Sequence, residues 1–206
     1  IFSPARRVRD NTTKHTLQNI LEIPEVVVNI CDYDMLQQVS LSSCEFSKGT
    51  DEFLKAGFNK EAALHIKPPM VKEAKVKLEC KVLEVKSLGK EGGAGQLVIA
   101  EIICMHVAES ILTEDGSMID QRKLHHIARM GGDWYSVINE SGLLRVPKPN
   151  LQLGIGVDAL PESIRRSNIL TGNNLGMLGN VHEEPVVDAT FEDDRLKNII
   201  QYYSIS

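Results

Sequence analysis

Between Lys75 and Val107 the chain alternates apolar and charged residues. Val76, Leu78, Cys80, Val82 and Val85 sit among Lys75, Lys77, Glu79, Lys81 and Glu84. A period of two belongs to a strand with one buried face and one wet face. The run Gly89-Lys90-Glu91-Gly92-Gly93-Ala94-Gly95 interrupts it, and Leu97 to Val107 is a second long strand. Two long strands joined by a glycine turn make a hairpin, so an antiparallel sheet lies at the centre of the fold. The glycine run lacks the Lys-Ser/Thr ending of a phosphate-binding loop and opens no helix, so it reads as a hairpin tip.

The remaining elements are short. Leu17, Ile20 and Leu21 share one face of a helix predicted from about Thr13 to Leu21, which Pro24 ends. Val26-Val27-Val28-Asn29-Ile30 is a continuous β-branched run and predicts a strand buried on both faces. Asp32 is placed to cap a helix carrying Met35, Leu36 and Val39. Asp51 to Gly57 reads as a short helix with an acidic first turn and a glycine stop. Asp115-Gly116 marks a turn, and Asp133 to Ile138 a final strand. From Arg145 onward prolines and glycines dominate, with short helices predicted at Glu162–Ser167 and Asp193–Tyr202.

With 206 residues, this is one domain or one domain with an appendage. A composition 42% hydrophobic at net charge −5 is too apolar for intrinsic disorder, and the acidic balance argues against general nucleic-acid binding. No apolar stretch is long enough to cross a bilayer. Cys31, Cys44, Cys80 and Cys104 form no CxxC pair and show no close Cys/His ligand spacing, so no metal site is expected. They suit a reducing, cytoplasmic setting. Ile1-Phe2 reads like the tail of a strand entered from upstream, so a preceding native segment is expected.

Gly154-Ile155-Gly156-Val157-Asp158-Ala159 matches the dinucleotide fingerprint in letters. Pro147 and Pro149 before it and Pro161 after it deny the strand and helix that the fingerprint needs, so it is a loop of small residues. His125 and His126 are adjacent and point apart, which disfavours one shared ion; from spacing alone they are as readily a polar patch as a site. The stretch Ser3 to Thr16 gathers arginines, a lysine, serines and threonines ahead of a helix N-terminus. Such a terminus offers unpaired N–H groups and a positive dipole to an anion, and cations add charge-assisted hydrogen bonds. Composition alone reads it equally well as a solvated basic loop.

The order of segments adds a family resemblance. Phe2-Ser3-Pro4-Ala5-Arg6-Arg7, Lys14-His15-Thr16-Leu17-Gln18-Asn19-Ile20 and Glu25-Val26-Val27-Val28-Asn29 resemble the first half of flavin reductase-like proteins. Gly49-Thr50-Asp51-Glu52-Phe53 with Ala56-Gly57-Phe58 is similar to that family's G-x-D-E-F…A-G-L segment. Pro68-Pro69-Met70-Val71 through Leu78-Glu79-Cys80, and Arg129-Met130-Gly131-Gly132-Asp133-Trp134-Tyr135, resemble two later segments. The match runs from residue 1 to about 137. His15 stands where the family usually has Asp.

The resemblance implies a mainly β fold with short helices: a Greek-key split β-barrel that binds FMN, residues 1–145, and a C-terminal extension, 146–206, packed on the barrel or on a partner subunit. It implies FMN held at the interface of a homodimer, with NAD(P)H as electron donor. Ser3, Arg7, Thr13, Lys14 and Thr16 fall where the family binds the flavin phosphate and ribityl chain. Asn29, Ser40 and Ser43 fall near its ring, and His126, Arg129 and Tyr135 where nicotinamide would stack. The hydride chemistry would belong to the flavin, so no catalytic side chain is expected to stand out. An FMN-dependent oxidoreductase of the flavin or ferric reductase kind is the leading expectation, with an electron-acceptor protein as a possible partner. The alternatives are a non-catalytic FMN electron carrier of the flavoredoxin kind and a split-barrel interaction protein without flavin.

Overall fold

The computed structural model describes residues 1–146 and 152–184, and beyond these 186, 188, 190, 192–195 and 197–198. The chain divides into two compact units, Ile1–Leu144 and Arg145–Ser206.

In the first unit, helix α1 (His15–Glu22) leads into strand β1 (Glu25–Ile30). A 3-10 turn, Tyr33–Met35, precedes α2 (Leu36–Ser42), and α3 (Glu52–Ala56) follows. The cap signals act as expected. Asp32 accepts from the Asp34 amide, Asp51 accepts from the Phe53 amide, and Gly57 ends α3 with φ +72°. Strands β2 (Lys60–Glu61) and β3 (Met70–Val71) pair as a small ribbon. The long hairpin is β4 (Val76–Ser87) and β5 (Gln96–Val107). A second ribbon joins β6 (Ile127–Arg129) to β7 (Tyr135–Val137), shorter than the predicted Asp133–Ile138 strand.

The main sheet has the order β1-β4-β5, antiparallel throughout, and Phe2 bridges Val98 on β5. The break in alternation from Val82 to Val85 is a β-bulge between Val82 and Glu84. A bulge sets one extra residue on one strand, which is why the apolar spacing stretches there. Val76, Ile111 and Leu124 centre a core joined by Ile30, Leu78, Val107, Ala108 and Ile119.

Two expectations need correction. β1 is half-buried along its whole length rather than buried on both faces, because residues of its sequence also line a cleft. Glu79, expected on the wet face, is completely buried. The segment 64–71 lies across that face as a strap and covers it. Three side chains of the sheet accept its backbone N–H groups. Glu79 takes Leu64 and His65, each at 2.8 Å, Glu25 takes Lys67 at 2.8 Å, and Asn29 takes Val71 at 3.0 Å. Burial would raise the Glu79 carboxyl, but the Leu64 amide, His106 and the His65 amide together hold it below the usual carboxylate range.

The hairpin tip grips the N-terminal loop. Arg6 N–H donates to Ala94 O and Gly93 N–H to Arg6 O, and Asn11 Nδ2 donates to Lys90 O. A Cβ on Gly92 would stand 2.9 Å from Val8 O, and one on Gly95 would stand 2.6 Å from Ser3 Oγ. The glycines are there because two backbones meet.

In the second unit, α4 (Glu162–Arg165) is shorter than predicted, and α5 (Gly172–Leu178) starts at a capping box of Thr171 and Asn174. The Gly154–Ala159 loop opens no helix at Gly156; it bonds instead to Gly179 and Val181. Half of the helix predicted at Asp193–Tyr202, residues 196 and 199–202, lies outside the described residues. Among the described residues no helix is long and apolar enough to cross a membrane.

Candidate functional site

Two adjoining clefts, of about 650 and 620 Å³, open beside α1 and share Thr16, Asn19, Ser42, Glu52 and Phe53. One end is apolar. Val26, Val27, Phe53, Phe58, Pro68 and Pro69 line it, so the strap forms part of its wall. The other end is polar and carries Arg7, Lys14, His15 and Lys48. Together they make a cleft fit for an elongated molecule with a flat apolar part and an anionic tail.

The polar end owes its chemistry to α1. Lys14 is the N-cap residue, and no side chain caps the helix. His15 and Thr16, in its first turn, line the cleft. First-turn amides lack intrahelical acceptors and sit at the positive end of the dipole. The Lys14 ammonium is exposed and makes no bond within the described residues. Arg7 is placed differently. It donates to Thr12 Oγ1 at 3.0 Å and to Thr13 O at 2.8 Å, and its Nε lies 3.4 Å from Glu45 Oε1. Arg9 pairs with the same carboxylate. Arg7 therefore shapes the loop, and Lys14 and Lys48, neither of which makes a bond within the described residues, are the cleft lysines left for a ligand.

Five of the eight residues expected to bind cofactor line these clefts: Arg7, Lys14, Thr16, Asn29 and Ser43. Asn29 spends its Oδ1 on Val71 and holds the strap. Ser43 Oγ donates to Ser40 O at 2.6 Å, so Ser40 supports the turn through its carbonyl rather than lining the cleft. Thr13 also stands behind the wall, accepting from Arg7 through its carbonyl and from Gln18 Nε2 through Oγ1. Ser3 lies under the hairpin tip against Gly95. Cys31, which no sequence pattern marks, lines the apolar end; burial, and then the Asp32 carboxylate, push its thiol up. Phe53 and Phe58 also line the cleft without having been expected there, although they flank the Ala56-Gly57 stop.

His126, Arg129 and Tyr135 lie elsewhere. His126 bridges Asp32, and its carbonyl accepts from Ile138 N–H at 2.8 Å. Arg129 and Tyr135 are cross-strand partners on the β6–β7 ribbon. The Arg129 guanidinium donates to Tyr135 Oη and Gly132 O, each at 3.2 Å, and sits 5.6 Å from the Tyr135 ring centre. None of the three lines either cleft.

Residues 8–128 match the family model of the flavin reductase like domain. An uncharacterised protein of Aquifex aeolicus is 32% identical over 126 residues, 61% of this chain and 62% of that protein's length. Another, from Halalkalibacterium halodurans, is 30% identical over 143 residues and 68% of each chain. Among solved structures, nitrilotriacetate monooxygenase component B from Bacillus cereus is similar at 25% identity and TM-score 0.63, covering 70% of this chain and 69% of its own. A flavin reductase-type protein with a split barrel domain from Shewanella frigidimarina is 28% identical at TM-score 0.57, covering 65% of each chain. The open sheet and ribbons of the first unit thus have the framework of these split barrels. By its matched length and its relatives, the chain belongs to the flavin reductase like domain family.

Proposed function

We propose that the chain binds FMN in the paired clefts and acts as an oxidoreductase that accepts electrons from NAD(P)H. The observation that carries this reading is the uncapped N-terminus of α1 opening, with Lys14 unpartnered among the described residues, onto a cleft whose far end is apolar. A phosphate monoester suits the first feature and a planar ring the second. Lys14 and the His15 and Thr16 amides would hold the phosphate, with Thr16 and Ser43 available to ribityl hydroxyls. Val26, Val27, Phe53 and the Pro68-Pro69 wall would exclude water from the ring. When bound, the flavin supplies the hydride-accepting chemistry, and the protein supplies orientation and field.

The same reading includes a homodimer. Leu83, Ile102 and Met105 leave apolar side chains exposed on the β4–β5 hairpin, each more than half accessible, and a second copy would cover them. The four cysteines are free thiols, which fits a reducing compartment such as the cytoplasm. Absorbance of the purified full chain tests for flavin. Anaerobic mixing of the loaded protein with NADH and with NADPH then tests for turnover. Bleaching within seconds supports the reductase, and colourless protein that takes up no FMN overturns the whole reading.

One observation favours a non-catalytic electron carrier instead. Arg129, the cation expected to meet a dinucleotide, is engaged with Tyr135 and Gly132 away from the clefts. Flavin that binds but is bleached by neither dinucleotide would establish that alternative.

A further inference from the structure

Glu79, Cys104 and His106 share one face of the hairpin, although the sequence shows no Cys/His pair at a familiar ligand spacing. Cys104 lies directly across from Glu79 in the ladder, and His106 is two residues along the same strand. A step of two on a strand returns to the same face. His106 Nε2 is 2.6 Å from Glu79 Oε1 and 3.7 Å from Cys104 Sγ, and the three donor atoms all lie within 4.8 Å of one another.

Such a trio has two chemical readings. A nucleophile relay needs the imidazole to meet the thiol through one nitrogen and the carboxylate through the other. Here Nε2 alone meets both, so no relay runs through the ring. Donors that converge on one locus are instead the arrangement of a metal site. Thiolate, imidazole and carboxylate are the ligand set of zinc and its neighbours in the first transition row. Two ligands on one tetrahedral zinc stand about 3.5 Å apart, close to the Cys104–His106 separation, and the His106–Glu79 pair would open by roughly 0.8 Å. The Glu79 carboxylate is already oriented by the Leu64 and His65 amides, the outer support that ligating carboxylates have. A cleft of about 230 Å³, lined by Glu61 and Glu73 and also by Lys72, Lys75 and Lys77, reaches His106.

We infer that Glu79, Cys104 and His106 form a binding site for a divalent transition metal of the zinc kind, with the fourth position open to water. Binding releases the thiol proton, and His106 ligates as a neutral imidazole whose one proton sits on Nδ1, so Nε2 exchanges its hydrogen bond to Glu79 for the metal. One carboxylate and one thiolate then balance the two charges of the ion. Because Glu79 also pins Leu64 and His65, the metal would fasten the strap whose farther end walls the flavin cleft.

The test uses the full-length, metal-stripped protein with zinc, and with cobalt as a coloured substitute, followed by equilibrium dialysis and absorption spectroscopy. One zinc per chain is expected, with a thiolate-to-cobalt charge-transfer band. Cys104→Ser and His106→Gln should each weaken zinc by more than the roughly 10- to 100-fold that loss of an outer-shell partner costs, while Cys44→Ser should leave affinity and band unchanged. Failure of the wild type to retain stoichiometric zinc, or unchanged affinity in either ligand variant, would overturn the site. Should a ligand variant fail to fold by circular dichroism, the wild-type cobalt spectrum decides. A charge-transfer band that survives Cys31→Ser, Cys44→Ser and Cys80→Ser supports the site, and a complex without that band overturns it.

Discussion

Arg7 Nε lies 3.4 Å from Glu45 Oε1, and this contact divides the labour between two cations at the anion end of the cleft. Arg7 is held in the loop's own bonds, while Lys14 is free to meet a ligand. Lys14→Ala is therefore expected to weaken FMN by about tenfold, the loss of one charge-assisted hydrogen bond. Riboflavin, which lacks the phosphate, should bind the variant and the wild type alike. Glu45→Gln should act in the opposite direction, releasing Arg7 and tightening FMN roughly two- to fivefold, the scale of one exposed ion pair. Fluorescence titration with both flavins measures all of this, and equal effects on FMN and riboflavin would remove the phosphate from the α1 terminus.

Asn29 is expected to separate stability from binding. Asn29→Ala leaves the Val71 amide without its acceptor and should cost about 1 kcal/mol, the low end for a group only half-buried. Asn29→Asp keeps the acceptor and should melt near the wild type, but it places a carboxylate in the cleft and should weaken FMN. Thermal melts set beside flavin titrations check the pair. If the Ala variant melts with the wild type, the bond does not hold the strap.

Gly92→Ala brings a methyl group to 2.9 Å from Val8 O and 3.1 Å from Arg7 O, both main-chain atoms. Neither can rotate away, so the loop must shift. The expected result is weaker FMN binding with the hairpin itself intact, read by titration and by circular dichroism. Gly116→Ala, where nothing lies within 4 Å of the new carbon but φ is +69°, is the control for backbone strain without a clash.

Cys31 and Cys44 should alkylate in a fixed order. Cys44 is exposed, whereas burial, and then the Asp32 carboxylate, raise the Cys31 thiol. A raised thiol holds less thiolate at any given pH and reacts more slowly. Timed iodoacetamide labelling with mass spectrometry should find Cys44 first. Saturating FMN should slow Cys31 further, because Cys31 lines the cleft.

Asp120 should stay ionised far into acid. The Arg122 guanidinium, donating at 2.9 and 2.7 Å, and the Arg122 amide hold its carboxyl down at about 2. A depressed carboxyl contributes stability above its unfolded value of about 3.9. That contribution is lost as the pH falls through about 2. Carbon-detected NMR titration of the side chain gives the midpoint directly. A value near 4 would mean the Arg122 fork is not populated.

Local chemistry was legible in the sequence, and long-range contact was not. The alternation at 75–107 foretold the hairpin, and its slip between Val82 and Val85 was the bulge written in residue spacing. Asp51 and Gly57 marked the ends of α3 because a cap acts on its nearest neighbours. Glu79 misled because its burial depends on a strap that contributes two amides from residues 64 and 65. Nothing in the period of its own strand reports that cover. Arg7 looked like a phosphate ligand because its acidic partner, Glu45, lies far along the chain. Cys104 and His106 were passed over because familiar metal spacings are those of turns and helices, whereas on a strand one intervening residue is enough.

The strap has one more consequence. At Leu64, His65, Lys67 and Val71 its amides bond to side chains of the sheet beneath. The hydrogen bonds that join β1, β4 and β5 are spent on one another and do not depend on it. One edge of the cleft is thus tailored by three replaceable residues, Glu25, Asn29 and Glu79, while the frame carrying them stands independently. A lineage could widen or narrow that opening by single substitutions while β1, β4 and β5 keep their pairing.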